Sequence, residues 1–123
     1  ASERVMRFEG DGDGAVKRVI TDKNTLDADL VLLAIGVRPN VDLAKEAELV
    51  IGETGAIQVN EYLQTSDPDI YAGGECVENT HRLTGKKVYI PLGSTANKHG
   101  RAIADHITGG GSPFPGVLGT AIC

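Results

Sequence analysis

Tryptophan is absent from this 123-residue chain, and three Tyr and two Phe are its only aromatic side chains. That scarcity argues against a module that stacks bases or sugar rings. Basic residues are also in deficit: 12 Lys and Arg against 17 Asp and Glu give a formal charge of −5. A surface that binds nucleic acid needs the opposite balance, so no nucleic-acid partner is expected. The longest apolar stretch, Leu30 to Val37, is far too short for a membrane span, and no signal-peptide pattern opens the chain. No membrane partner is expected, and the localisation indicated is cytoplasmic. Cys76 and Cys123 do not form a CxxC pair, which removes a zinc site or a redox dithiol of that kind. Two reduced thiols fit a chain of this size without secretory signals better than a disulfide does.

What is present is a soluble composition, 41% hydrophobic and 24% charged, with 16 Gly spread along the chain as turn markers rather than gathered in a low-complexity tract. Arg4 to Glu9 alternates polar and apolar residues, and Ala15 to Ile20 is a second β-favouring run. With Gly10-Asp11-Gly12-Asp13-Gly14 between them, they read as a β-hairpin. The turn itself is no phosphate loop, because a strand follows where a dinucleotide fingerprint requires a helix. It is no calcium loop either, since Ala15 stands where a third ligand is needed. After a second turn at Asp22–Thr25, the continuous run Leu30 to Ile35 has the pattern of a parallel strand covered on both faces. The fold class expected is therefore α/β, with a hairpin, that buried strand, short strands and a C-terminal helix.

Further along, Asn40 or Asp42 can cap a short helix through Glu48 with Val41, Leu43, Ala44 and Ala47 inward. Ala56–Val59 and Asp69–Ala72 read as short strands, and Cys76–Val88 as a polar loop. A helix is expected from about Thr95 to Ile107, with Ala96, Gly100, Ile103, Ala104 and Ile107 inward. Gly109–Gly111 should end it, Ser112–Gly116 reads as a linker, and Val117–Ile122 as the start of a strand. His81, His99 and His106 lack metal-ligand spacing, so surface or helix-facing roles are expected and no metal. The basic stretch His81–Lys87 reads as a solvated loop, and no Ser/His/Asp arrangement is visible.

Thr65 to Glu75 carries the strongest chemical signal. A short strand ending in Gly73, Gly74 and Glu75 sets a carboxylate at the carboxyl edge of a sheet, where open α/β sheets bind ligands. The glycines admit close approach, and the carboxylate can accept hydrogen bonds from polyol hydroxyls. An acidic residue in a plain surface turn is the competing explanation.

Thr65-Ser66-Asp67-Pro68-Asp69-Ile70-Tyr71-Ala72-Gly73-Gly74-Glu75-Cys76 resembles the second FAD-binding motif of the flavin-dependent pyridine nucleotide-disulfide oxidoreductases. Ala28 to Asn40 resembles that family's crossing segment between its NAD(P)H and FAD domains, and Ile90 to Arg101 the helix start that faces the flavin. The detail is nearest to the coenzyme A-disulfide reductase, NADH oxidase and NADH peroxidase branch.

The resemblance implies that 1–40 ends an NAD(P)H-binding domain, 41–111 returns to an FAD-binding domain, and 112–123 opens a dimerisation domain. It implies FAD and NAD(P)H as cofactors, the preceding domains of the same polypeptide as partners, and a homodimer. It also implies hydride transfer through flavin to a disulfide such as coenzyme A disulfide, to oxygen or to peroxide. It implies cofactor contacts at Gly73, Gly74 and Glu75 to the ribitol, at Gly93, Ser94, Thr95 and Ala96 to the flavin, and at Gly36 near the nicotinamide. Glu75 stands where the family usually has Asp. No catalytic residue and no metal are assigned, and Cys76 is not the redox thiol. Without both glycine-rich phosphate loops and that thiol, the chain alone is expected not to turn over. The alternative is a stand-alone, non-catalytic α/β binding or interaction module.

Overall fold

The computed structural model describes residues 2–120, which fall into two compact units divided between Gly36 and Val37. In the first, β1 (Val5–Gly10), β2 (Val16–Thr21) and β3 (Thr25–Asp27) form an antiparallel sheet in that order. The hairpin at Gly10–Gly14 is the structural turn its sequence suggests. The Asp11 carboxylate accepts the amides of Asp13 and Ala15, each at 3.0 Å, which stabilises the reversal. β-sheet alternation then sorts the residues. Phe8, Val19 and Leu26 align across the three strands, and Glu9, Arg18 and Asp27 align beside them. Arg18 reaches Glu9 at 3.9 Å and Asp27 at 3.5 Å.

The strand expected at Leu30–Ile35 does not form. These residues pair with no strand, and Leu32 and Ile35 are 83% and 90% exposed. Leu30 and Leu33 are exposed as well. A doubly covered strand needs hydrogen-bonding neighbours on both edges and cover on both faces. None of these is supplied to 30–35 among the described residues. β3, conversely, has only one apolar residue, Leu26, and no alternation to mark it.

The second unit holds α1 (Asp42–Glu46), β4 (Asn79–Thr80), β5 (Lys87–Val88) and α2 (Gly93–Ile107). Val41 and Ala44 of the α1 region pack with Ile57 and Val77 to form its core, edged by Leu49, Ile51, Val59, Ala72 and Cys76. The inward face of α1 is narrower than expected, since Leu43 is exposed. Around Ile57 the chain makes only isolated bridges, to Ile51 and Val77, in place of a continuous Ala56–Val59 strand. Tyr71 likewise makes a single bridge to Gln64 where a strand over Asp69–Ala72 is expected. The polar Cys76–Val88 segment contains β4 and β5, which pair antiparallel. Buried Glu78 ties down the preceding turn by accepting the Thr54 amide at 2.9 Å and hydroxyl at 3.0 Å.

α2 begins at Gly93, two residues earlier than expected, and ends before Gly109, whose φ of 83° suits the reversal. Its inward face also differs: Thr95 and His99 are buried, whereas Gly100, Ala104 and Ile107 are exposed. Ala96 and Ile103, both half-buried and facing Gly74 and Gly73, are common to both assignments. The segment read as a linker is docked. The Phe114 amide donates to the Glu61 carbonyl at 2.7 Å, and Val117 pairs alongside Thr80–Arg82. Cys123 and the end of the strand expected at Val117–Ile122 lie outside the described residues. Among those residues, no helix is long and apolar enough to cross a membrane.

Candidate functional site

Two stretches of the second unit that are distant in sequence meet face to face. Ala72 is fixed by its amide, which donates to the Leu63 carbonyl at 3.0 Å, and the chain then turns through Gly73, Gly74 and Glu75. Gly74 has a φ of 89°, a region that residues with a Cβ seldom adopt. Gly73 is needed for a different reason. A Cβ there would stand 3.1 Å from both the His99 Cβ and the Ile103 Cδ1, so the turn lies directly on α2. The methyl of Ala96 is close to Gly74, 3.6 Å from where a Cβ on that glycine would sit.

The seam is closed by one hydrogen bond. The Gly74 amide donates to His99 Nδ1 at 3.0 Å. His99 has no solvent exposure, and its ring meets Phe114 in a T-shaped contact with centroids 4.5 Å apart. Burial lowers the pKa of His99, and no charged neighbour contributes. Nδ1 accepts from a donor, so the imidazole is neutral with its proton on Nε2.

Beside the turn, Cys76 donates from Sγ to the Gly73 carbonyl at 3.4 Å. Burial first, and then the Glu75 carboxylate, raise the Cys76 thiol pKa. A thiol whose pKa is raised is a poorer nucleophile at neutral pH. Burial first, and then Glu75 and Cys76, raise the Tyr89 hydroxyl pKa. An apolar cavity of about 520 Å³, lined by Leu43, Ala44, Ile57, Tyr71, Gly73 and Cys76 among others, adjoins the turn.

Glu75 itself is exposed, with its carboxylate available to a ligand. The α2 N-terminus is equally available. Leu92 at its N-cap is extended and provides no side-chain cap, and the first turn has no acidic residue. The positive end of the helix dipole therefore has no counter-charge of its own on α2. Gly93 and Ser94 are exposed, while Thr95 is buried and Ser94 and Thr95 line a cavity of about 180 Å³. These features fit a group that offers hydroxyls to a carboxylate and an electron-rich edge to helix amides, as FAD does.

Gly73, Gly74 and Ala96 are thus brought together. Gly36 belongs to the other unit, is exposed and has a φ of 85° in open surroundings. Sequence reasoning missed His99, Phe114 and Tyr89. The only available signal was that His99 lies at i+4 from Thr95 on a helix whose opposite faces are both rich in small residues.

Residues 1–100 match the sequence profile of the family described as pyridine nucleotide-disulphide oxidoreductase. The chain is 49% identical over 120 residues to an NAD(P)H sulfur oxidoreductase (CoA-dependent) of Pyrococcus furiosus, a match covering 98% of this chain and 27% of that protein. It also resembles the structure of a NAD-dependent persulfide reductase from A. fulgidus at a TM-score of 0.86 and 50% identity, over 97% of this chain and 22% of that one. A third similarity is to an FAD-dependent pyridine nucleotide-disulphide oxidoreductase from Desulfovibrio vulgaris. There the TM-score is 0.80 and the identity 54%, over 93% of this chain and 28% of that one. The chain spans about a quarter of the length of the relatives it matches.

Proposed function

Because this chain belongs to the pyridine nucleotide-disulphide oxidoreductase family, we propose that it forms part of a larger FAD enzyme that oxidises NAD(P)H. Its acceptor is a disulfide or persulfide of the coenzyme A class, oxygen or peroxide; relatives named CoA-dependent sulfur oxidoreductase, persulfide reductase and NADH oxidase speak for the sulfur acceptors and for oxidation of NADH. The supporting observation is the packing of the Gly73–Gly74–Glu75 turn on the first turns of α2, which juxtaposes a free carboxylate and an uncapped helix start. When bound, FAD supplies the hydride-accepting ring.

In this reading Gly73 and Gly74 let the turn lie close to the cofactor, and Glu75 accepts hydrogen bonds from the ribitol. Gly93 and Ser94 would turn backbone amides toward the flavin's pyrimidine edge, Thr95 and Ala96, whose amides donate to the Leu92 carbonyl at 3.0 and 3.1 Å, would line it, and Gly36 would lie near the nicotinamide. Amides fixed in advance favour the charge that reduction develops, without reorganisation. Residues 1–40 then end the NAD(P)H-binding domain, 41–111 belong to the FAD-binding domain and 112–123 open the dimerisation domain. The whole enzyme is a cytoplasmic homodimer, a setting in which a reduced Cys76 is at home.

The test is the FAD content of the purified full-length protein and of its Gly73→Val variant. The wild type should carry bound FAD. In the variant the added side chain separates the turn from α2, an overpacking that costs about 1–3 kcal/mol, and FAD should be largely lost. A flavin-free wild type would favour the non-catalytic module, and full FAD occupancy in the variant would remove the turn from the site.

A further inference from the structure

Among the described residues, His99 Nε2 is buried with no hydrogen-bond partner. A buried donor without an acceptor is costly, and an apolar side chain of similar size would avoid it. What the imidazole provides that leucine cannot is the acceptor Nδ1, which takes the Gly74 amide at 3.0 Å. Gly74 needs such an anchor. Its positive φ is one of many conformations open to glycine, so the turn is not held by local sterics alone. The anchor is itself rigid, since Phe114 stands against the ring and the Gly73 backbone lies against the His99 Cβ.

We infer that His99 is a positioning residue for the cofactor, its Nδ1 holding the Gly74 amide so that Glu75 is presented toward the ribitol. His99 does not touch the cofactor and takes no part in electron transfer. It acts through the turn, and the inference rests on the reading of that turn as part of the FAD site.

The experiment measures FAD affinity of the full-length apoprotein by flavin fluorescence for wild type, His99→Asn and His99→Leu. Asparagine places Oδ1 where Nδ1 stood, whereas leucine fills the space without an acceptor. Loss of one hydrogen bond should weaken FAD binding about tenfold in His99→Leu. His99→Asn should remain near wild type. Equal affinity in all three proteins, or equal loss in both variants, would overturn the role of the acceptor while leaving the FAD site in place. Failure of the wild type to bind FAD would instead overturn the underlying reading and this inference together. If His99→Leu does not fold, the wild type decides by NMR. A protected Gly74 amide with an unprotonated Nδ1 supports the anchor, and rapid exchange of that amide or a protonated Nδ1 refutes it.

Discussion

His99 keeps its place only while neutral. Protonation would fill the Nδ1 lone pair that accepts the Gly74 amide and would put a charge where water does not reach. Burial accordingly lowers its folded-state pKa below the ordinary value of 6.5. The unfolded chain then binds more protons than the folded one over the interval between the two pKa values. The contribution to stability is complete above pH 6.5 and is lost as pH falls from there through the folded pKa. Urea unfolding of the full-length protein across this range should show a wild-type advantage over His99→Asn that shrinks with acidification. An advantage independent of pH would mean that His99 does not titrate as a buried group. None of this was legible in the residue type, because the spacing of the histidines left surface and helix-facing roles both open and marked no backbone amide as a partner.

At the scale of elements, local patterning succeeded where an element completes itself and failed where it depends on distant neighbours. The hairpin was legible because β1 and β2 find their partners across a turn, Asp11–Ala15, that is Gly and Asp but for its last residue. The run Leu30–Ile35 was not, since its apolar residues describe a covering that no segment described in this chain provides. α2 was legible in extent but not in orientation. Counting Ala, Gly and Ile as the inward set put its face roughly one residue, or about 100°, from the Thr95–His99 line that packs inward.

Ala96, one residue on from Thr95, lies against Gly74 at the start of the same helix. Ala96→Asp would set a carboxylate in the first turn of α2 and against the cofactor's electron-rich edge. Near a helix N-terminus such a charge is worth about 0.3–1 kcal/mol to the helix itself. Loss of fold is therefore not the expected outcome. The full-length variant should show a lower flavin midpoint potential or a loss of FAD. An unchanged potential at full occupancy would detach the start of α2 from the flavin.

At the scale of the molecule, the three motifs lie in two compact units that meet in sequence at Gly36 and Val37. The turn motif and the α2 start share the second unit and its packing, so their meeting can be read directly from side-chain contacts. The order of the motifs along the sequence pointed to the family that the residue 1–100 match identifies. Their spatial meeting could not be read in the same way, because it depends on Gly73 lacking a Cβ and on one imidazole. The central claim is that this chain helps hold a flavin that NAD(P)H reduces. Anaerobic titration of the full-length protein with NADH or NADPH tests it most directly. The account predicts bound FAD whose absorbance bleaches with stoichiometric reductant, and a protein whose flavin neither nucleotide reduces, or which holds no flavin, would contradict it.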